Sequence, residues 1–215
     1  MEQLIDALDK NFEGSEAIHY MLKNAPKFGN DDDYVDLITK EVVNHVCDFV
    51  KNYKGFKGRK STAAALALTA NVAFGFSVGA LPDGRKAGEP LSEGGISPYQ
   101  GRNVSGPTAT MRSISKLDQV KLTAGSILNM RFSPGSVNDE AKMRKFVNLL
   151  RTFSETGGNL VQFNFIDNDT LRAAQKNPEK YKDLLVRVAT YSAYFVELSP
   201  ELQNDIISRM EFENL

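Results

Sequence analysis

Residues 75–107 hold eight of the sixteen glycines and four of the eight prolines, and this concentration divides the chain into three parts. Glycine loosens the backbone, while proline fixes φ and removes a donor, so no long helix or central strand can run through the segment. An irregular stretch of this length is uncommon in a compact domain unless it is functional or disordered. Phe76, Val78, Leu81, Leu91, Ile96 and Tyr99 punctuate it with apolar anchors. The segment is therefore expected to pack against something, inside this chain or beyond it. The isolated chain is expected to self-associate, because this segment would expose those anchors.

The flanks are regular. Leu4, Ile5, Leu8 and Phe12 repeat at helical spacing, and Glu13-Gly14-Ser15 reads as a stop followed by a new cap. Asn30 precedes Asp31, Asp32 and Asp33, acids suited to the positive end of a helix dipole. The helix they open carries Leu37, Ile38, Val42, Val46, Phe49 and Val50 as an apolar stripe. After the glycine-rich part the chain alternates. Residues 126–132 and 160–165 read as strands, and residues 139–155 as a helix with Met143, Phe146, Val147, Leu150 and Phe153 inward. Asn177-Pro178-Glu179 and Ser199-Pro200-Glu201 both read as helix starts, with a cap, a proline and an acid. Between them, residues 184–189 and 194–198 read as short buried runs. The pattern is α/β.

Conventional chemistry finds little support. The chain has 26 basic and 27 acidic side chains and a pI near 6.2, which argues against a nucleic-acid or acidic-membrane partner. One cysteine and two histidines exclude an internal disulfide and a Cys₄ or Cys₂His₂ zinc site. The acidic, helix-like start and the polar interruptions of residues 63–81 suggest neither a signal peptide nor a membrane span, so a reducing cytoplasm is expected. Residues 55–61 place Arg59, not glycine, before Lys60, unlike a phosphate loop. His45 and Cys47 project to different faces of one helix, and Cys47 reads as a buried helix cysteine. His19 fits a surface position as readily as a base. Asp167-Asn168-Asp169 lacks the glycine and glutamate of a calcium loop and reads as a cap. No metal site is expected.

Seven dense strings carry a family resemblance: residues 11–14 (Asn-Phe-Glu-Gly), 27–31 (Lys-Phe-Gly-Asn-Asp), 82–85 (Pro-Asp-Gly-Arg), 106–109 (Gly-Pro-Thr-Ala), 115–118 (Ser-Lys-Leu-Asp), 161–164 (Val-Gln-Phe-Asn) and 187–193 (Arg-Val-Ala-Thr-Tyr-Ser-Ala). In this order they resemble the C-terminal region of glycyl radical enzymes, the relatives of pyruvate formate-lyase (formate acetyltransferase). Residues 192–198 look closer to the dehydratase and lyase branch, such as glycerol or hydroxyproline dehydratase. The resemblance implies an anaerobic cytoplasmic enzyme with a ten-stranded α/β barrel. Residues 1–94 would be the barrel's C-terminal end and residues 95–215 the glycine radical domain. It implies no bound cofactor but a radical on the protein backbone, installed by a radical-SAM iron–sulfur activating enzyme. A cysteine thiyl on another loop then takes hydrogen from a small-molecule substrate. The implied partners are that activase and either the remaining N-terminal barrel portion or a homodimer mate.

Two departures shape the expected activity. In the family the radical loop reads Arg-Val-x-Gly-Tyr, and aligning Arg187, Val188, Tyr191 and Ser192 puts Thr190 at the glycine position. A backbone Cα radical is stabilised by its flanking amides only when planar, and a Cβ crowds that geometry; threonine is also β-branched and stiff. The thiyl cysteine belongs upstream of the matched region, and Cys47 is not in its context. The chain alone is expected to be inactive. The competing reading is a non-catalytic binding or repair-type module that docks onto a related enzyme or the activase.

Overall fold

The structure, a computed structural model, describes residues 1–214. Leu215, the last residue of the expected second domain, lies outside the described residues. Three helices open the chain: α1 (Glu2–Asp9), α2 (Glu16–Asn24) and α3 (Asp33–Lys51). Between α1 and α2, Asn11 and Phe12 take positive φ values of 50° and 66°. That turn buries Phe12, whose ring stacks on His19 at 4.3 Å. A His19 ring nitrogen meets the Gly84 carbonyl at 2.8 Å, and Asn11 Oδ1 accepts from the Ala87 N–H. His19 thus has a tethering role between α2 and the glycine-rich segment.

The start of α3 departs from expectation. Asp32, not Asn30, caps it by accepting from the Tyr34 N–H at 3.0 Å. Asn30 instead bonds the Lys27 and Arg102 carbonyls and the Ser105 N–H. Asp31, Asp33 and the fully buried Asp36 converge on Lys116 Nζ at 2.8, 2.6 and 2.8 Å. Burial pulls the Lys116 ammonium down, but its bonds to the three aspartates outweigh burial and hold it above the ordinary 10.5. A raised folded-state value stabilises fully below the unfolded value, and the benefit fades as pH climbs through the folded one. The difference in urea midpoint between wild type and Lys116→Met is therefore expected to narrow from about pH 9 to about pH 12. A constant difference would contradict the ion cluster.

The glycine-rich segment packs mainly on its own chain. After α4 (Ala70–Gly75), residues 81–84 form a turn closed by Gly84 N–H to the Leu81 carbonyl at 3.0 Å, with Gly84 at φ 91°. This turn drives Arg85 inward until it is 1% exposed. The guanidinium donates to the carbonyls of Gly75 (2.8 Å), Gly79 (2.7 Å), Val78 (3.4 Å), Pro90 (3.2 Å) and Glu89 (2.9 Å from Nε). Backbone groups that no helix or sheet could satisfy are thereby paired around one side chain. Of the six apolar anchors only Phe76 stays exposed, so this stretch is not the main sticky surface.

That surface is α3. Cys47 is buried as expected, and burial raises its thiol. Leu37, Ile38, Val42, Val46 and Phe49, however, are 49–58% exposed. About half of each of these side chains stays open to solvent.

The last third is built on α5 (Pro107–Ser115), β1 (Leu128–Phe132), α6 (Glu140–Glu155), β2 (Val161–Phe165), α7 (Asn168–Lys176), α8 (Pro200–Ser208) and β5 (Glu211–Phe212). β1 lies between β2 and β5, parallel to both, with Phe132 opposite Phe165 and Phe212. Parallel neighbours need a crossover, and α6 supplies the one from β1 to β2. Phe132 is fully buried within 6.0 Å, ring to ring, of Phe146, Phe163, Phe165 and Phe212. Phe146, Leu150 and Phe153 face this core, whereas Met143 and Val147 stay partly exposed. Asp167 caps α7 and Ser199 caps α8, as expected. Asn177-Pro178-Glu179 opens only a short 3₁₀ turn, Pro178–Tyr181, without a side-chain cap, because the chain turns directly into the next strand. The architecture is mixed α/β. No helix among the described residues is long and apolar enough to cross a membrane.

Candidate functional site

β3 (Leu185–Arg187) and β4 (Ser192–Tyr194) form an antiparallel hairpin in which Arg187 pairs with Ser192. The two short runs read as mostly buried in sequence are thus one hairpin followed by a 3₁₀ turn, Phe195–Glu197, with Leu185 and Tyr194 exposed. The loop between them is Val188-Ala189-Thr190-Tyr191. It is closed by the Val188 and Ala189 N–H groups donating to the Tyr191 carbonyl at 2.9 and 3.4 Å. Val188 and Ala189 are buried, while Thr190, Tyr191 and Ser192 are exposed. All five residues singled out from the sequence, Arg187, Val188, Thr190, Tyr191 and Ser192, therefore share one hairpin with Thr190 near its tip.

The base of the loop is held from β2. Asn164 donates to the Arg187 carbonyl and accepts from the Arg187 N–H, both at 2.7 Å. Gln162 Oε1 accepts from Arg187 Nε at 2.9 Å. The guanidinium then reaches forward, donating to the Thr190 carbonyl at 3.0 Å and to Ser192 Oγ at 3.5 Å. Strand alternation explains the mixed composition of β2, since Val161 and Phe163 face the core while Gln162 and Asn164 face the hairpin. The Asn164 and Gln162 bonds hold the loop at its base, and the charged guanidinium braces the main chain at its tip.

Thr190 keeps φ outside the left-handed region; among the described non-glycine residues only Asn11, Phe12, Asp31 and Lys57 enter it. The backbone at this position does not require glycine for its shape. Whatever glycine would add here is chemical rather than conformational.

Further contacts come from residues the sequence did not single out. Arg209 Nη1 donates to the Val188 carbonyl at 2.6 Å and lies 2.9 Å from Glu93 Oε2, while its Nη2 meets Asp205 Oδ2 at 2.9 Å. Asp205 also accepts from Asn71 and Gln100. Burial holds the Glu93 carboxyl above the ordinary carboxylate range, a rise that the Arg209 charge offsets only in part. Behind the loop, Glu93, Asn129, Arg131, Asn164 and Arg209 help line a cavity of about 30 Å³, room for about one water molecule. Among the described residues no three His, Cys, Asp or Glu side chains are placed to hold a metal ion. Cys47 belongs to the Phe132 core, whereas Val188 belongs to a separate cluster with Val186, Phe195 and Ile206.

This arrangement holds a main-chain Cα at an exposed apex fixed by its flanks. Comparison with known proteins bears on the family. The family model described as glycine radical matches residues 92–196, and the one described as pyruvate formate lyase-like matches residues 1–75. Trans-4-hydroxy-L-proline dehydratase of Clostridioides difficile is 44% identical over 98% of this chain and 27% of its own length. Isethionate sulfite-lyase of Oleidesulfovibrio alaskensis is 43% identical over 99% of this chain and 26% of its own. The glycerol-bound B12-independent glycerol dehydratase of Clostridium butyricum superposes with a TM-score of 0.94 at 44% identity, covering 99% of this chain and 27% of that one. The chain thus spans about a quarter of the length of the relatives it matches.

Proposed function

The chain belongs to the glycyl radical enzymes, and on that premise we propose that it supplies the closing end of the barrel and the radical domain of a dehydratase or lyase. In this reading residues 1–94 complete the barrel and residues 95–215 form the radical domain. The hairpin carries the proposal: Gln162, Asn164 and Arg187 build a held loop whose exposed tip is Thr190. Threonine there removes radical storage, so the chain by itself is inactive toward any substrate. Relatives of nearly equal identity are named for different substrates, hydroxyproline and isethionate. Identity over this quarter therefore does not select the substrate, which belongs to the remainder of the enzyme. The working environment is an anaerobic cytoplasm, and the partner that reads the loop is a radical-SAM activase.

The exposed apolar stripe of α3 supports a further polypeptide as its cover, since an uncovered face of this kind marks an interaction site. The same surface serves the alternative, a repair-type module that docks onto a related enzyme. Both readings predict a 1:1 complex with a hydroxyproline dehydratase shortened by its C-terminal quarter, detectable by light scattering after mixing. Failure to bind with both proteins folded would overturn them together. Alone, the chain is expected to self-associate with rising concentration in sedimentation velocity. Val42→Lys with Val46→Glu should return it to monomer, and an unchanged profile would show that α3 is not the contact.

A further inference from the structure

We propose that Arg209 is a positioning residue that latches the 188–191 loop to the body of the protein, with Glu93 and Asp205 aiming it. Among the described residues, Arg209 supplies the side-chain hydrogen bond that reaches residues 188–191 from outside the hairpin. Arg187 also touches the loop at the Thr190 carbonyl, but it belongs to the hairpin itself. Arg209 sits at the C-terminal end of α8 and is fixed from two sides. Asp205, one turn earlier on α8, holds one nitrogen, and Glu93, from the glycine-rich segment, lies beside the other. Both acids are at least 96% buried, with relative exposures of 2% and 4%. With both acids out of solvent on either side of it, the guanidinium has little freedom to turn away.

The geometry therefore ties three separate pieces to one carbonyl: the segment around Glu93, helix α8, and the loop at Val188. If residue 190 is the radical position, which this inference takes from the proposed function, an activase that draws the exposed apex into its own site must pull the loop away from α8. Breaking the Arg209–Val188 bond is then the step that releases residues 188–191 from α8, while Asn164 and Gln162 keep Arg187 on β2. The bonds from Arg187 to Thr190 and Ser192 lie within the hairpin and need not break.

Amide hydrogen exchange tests the latch without any radical, so the result stands apart from whether Thr190 marks the radical position. The deciding variant is Glu93→Gln, which keeps the size of the side chain and leaves the Arg209–Asp205 pair in place. Exchange at Val188 and Ala189 is expected to accelerate about tenfold or more, the scale of a weakened charge-assisted bond, while β1 and β2 keep wild-type rates. Arg209→Gln should produce a larger change at the same amides, and Arg209→Lys should recover part of the protection. A loss of protection in the loop no greater than in β1 and β2, unfolding included, would overturn the proposal. So would an unchanged loop.

Discussion

Anaerobic activation of the Thr190→Gly variant by the radical-SAM activase of a dehydratase relative is expected to yield an organic-radical doublet in the EPR spectrum. The activase takes one hydrogen atom from the glycine Cα, and the unpaired electron spreads over the flanking amide nitrogen and carbonyl. The remaining α-hydrogen splits the signal in two. Thr190 is exposed and outside the left-handed region, so glycine leaves no cavity and relieves no strain. Its cost is the entropy of a freer unfolded chain, about 1 kcal/mol or less. The bonds from Asn164, Gln162 and Arg187 to the hairpin involve main-chain atoms and side chains other than that of Thr190. The loop should therefore keep its form. Growth on α-deuterated glycine should collapse the doublet to a single line, and a doublet that persisted would place the radical elsewhere.

Arg85→Met is expected to be the most damaging single change outside the hairpin. It removes a fully buried guanidinium whose acceptors are five backbone carbonyls, those of Gly75, Val78, Gly79, Glu89 and Pro90. Methionine matches the apolar stem but donates nothing, so these carbonyls lose their partner in a dry site. A hydrogen bond to a charged group contributes about 1.5–3 kcal/mol, and the five share one donor, so the losses do not simply add. A total near 3–5 kcal/mol is expected, a large part of the stability of an ordinary domain. Arg85→Lys should recover only part of the loss, since an ammonium cannot span all five acceptors. Urea denaturation measures both variants, and a loss below about 1 kcal/mol for methionine would contradict the central role of the guanidinium.

Much of this was legible in the sequence where the signal is local. Caps and periodicity located α3, α6, α7 and α8, and the run at 160–165 located β2. The same local rules misread Asn177-Pro178-Glu179, because a cap-proline-acid string also opens a single 3₁₀ turn when the next strand begins at Leu185. The α3 stripe was visible as apolar but not as uncovered, since periodicity names a face and not its partner. Pro82-Asp83-Gly84-Arg85 was visible as a motif, yet its purpose lies in carbonyls that only the folded turn brings together. Gln162 and Asn164 were within reach, because their alternation with Val161 and Phe163 puts both on the face opposite the core. Arg209, Glu93 and Asp205 carried no local signal; they meet only in three dimensions, and nothing in their spacing announces it. Thr190 itself was found by resemblance. Its chemical reading is sharpened by the observed φ, which shows that shape does not call for glycine.

The most direct test of that reading is EPR of the unaltered chain after anaerobic incubation with the same activase, beside Thr190→Gly treated identically. The expected result is no organic-radical signal from the wild type and a glycyl doublet from the variant. A protein-radical signal from the wild type that disappeared on changing Thr190 would contradict the claim that threonine closes this position to radical storage.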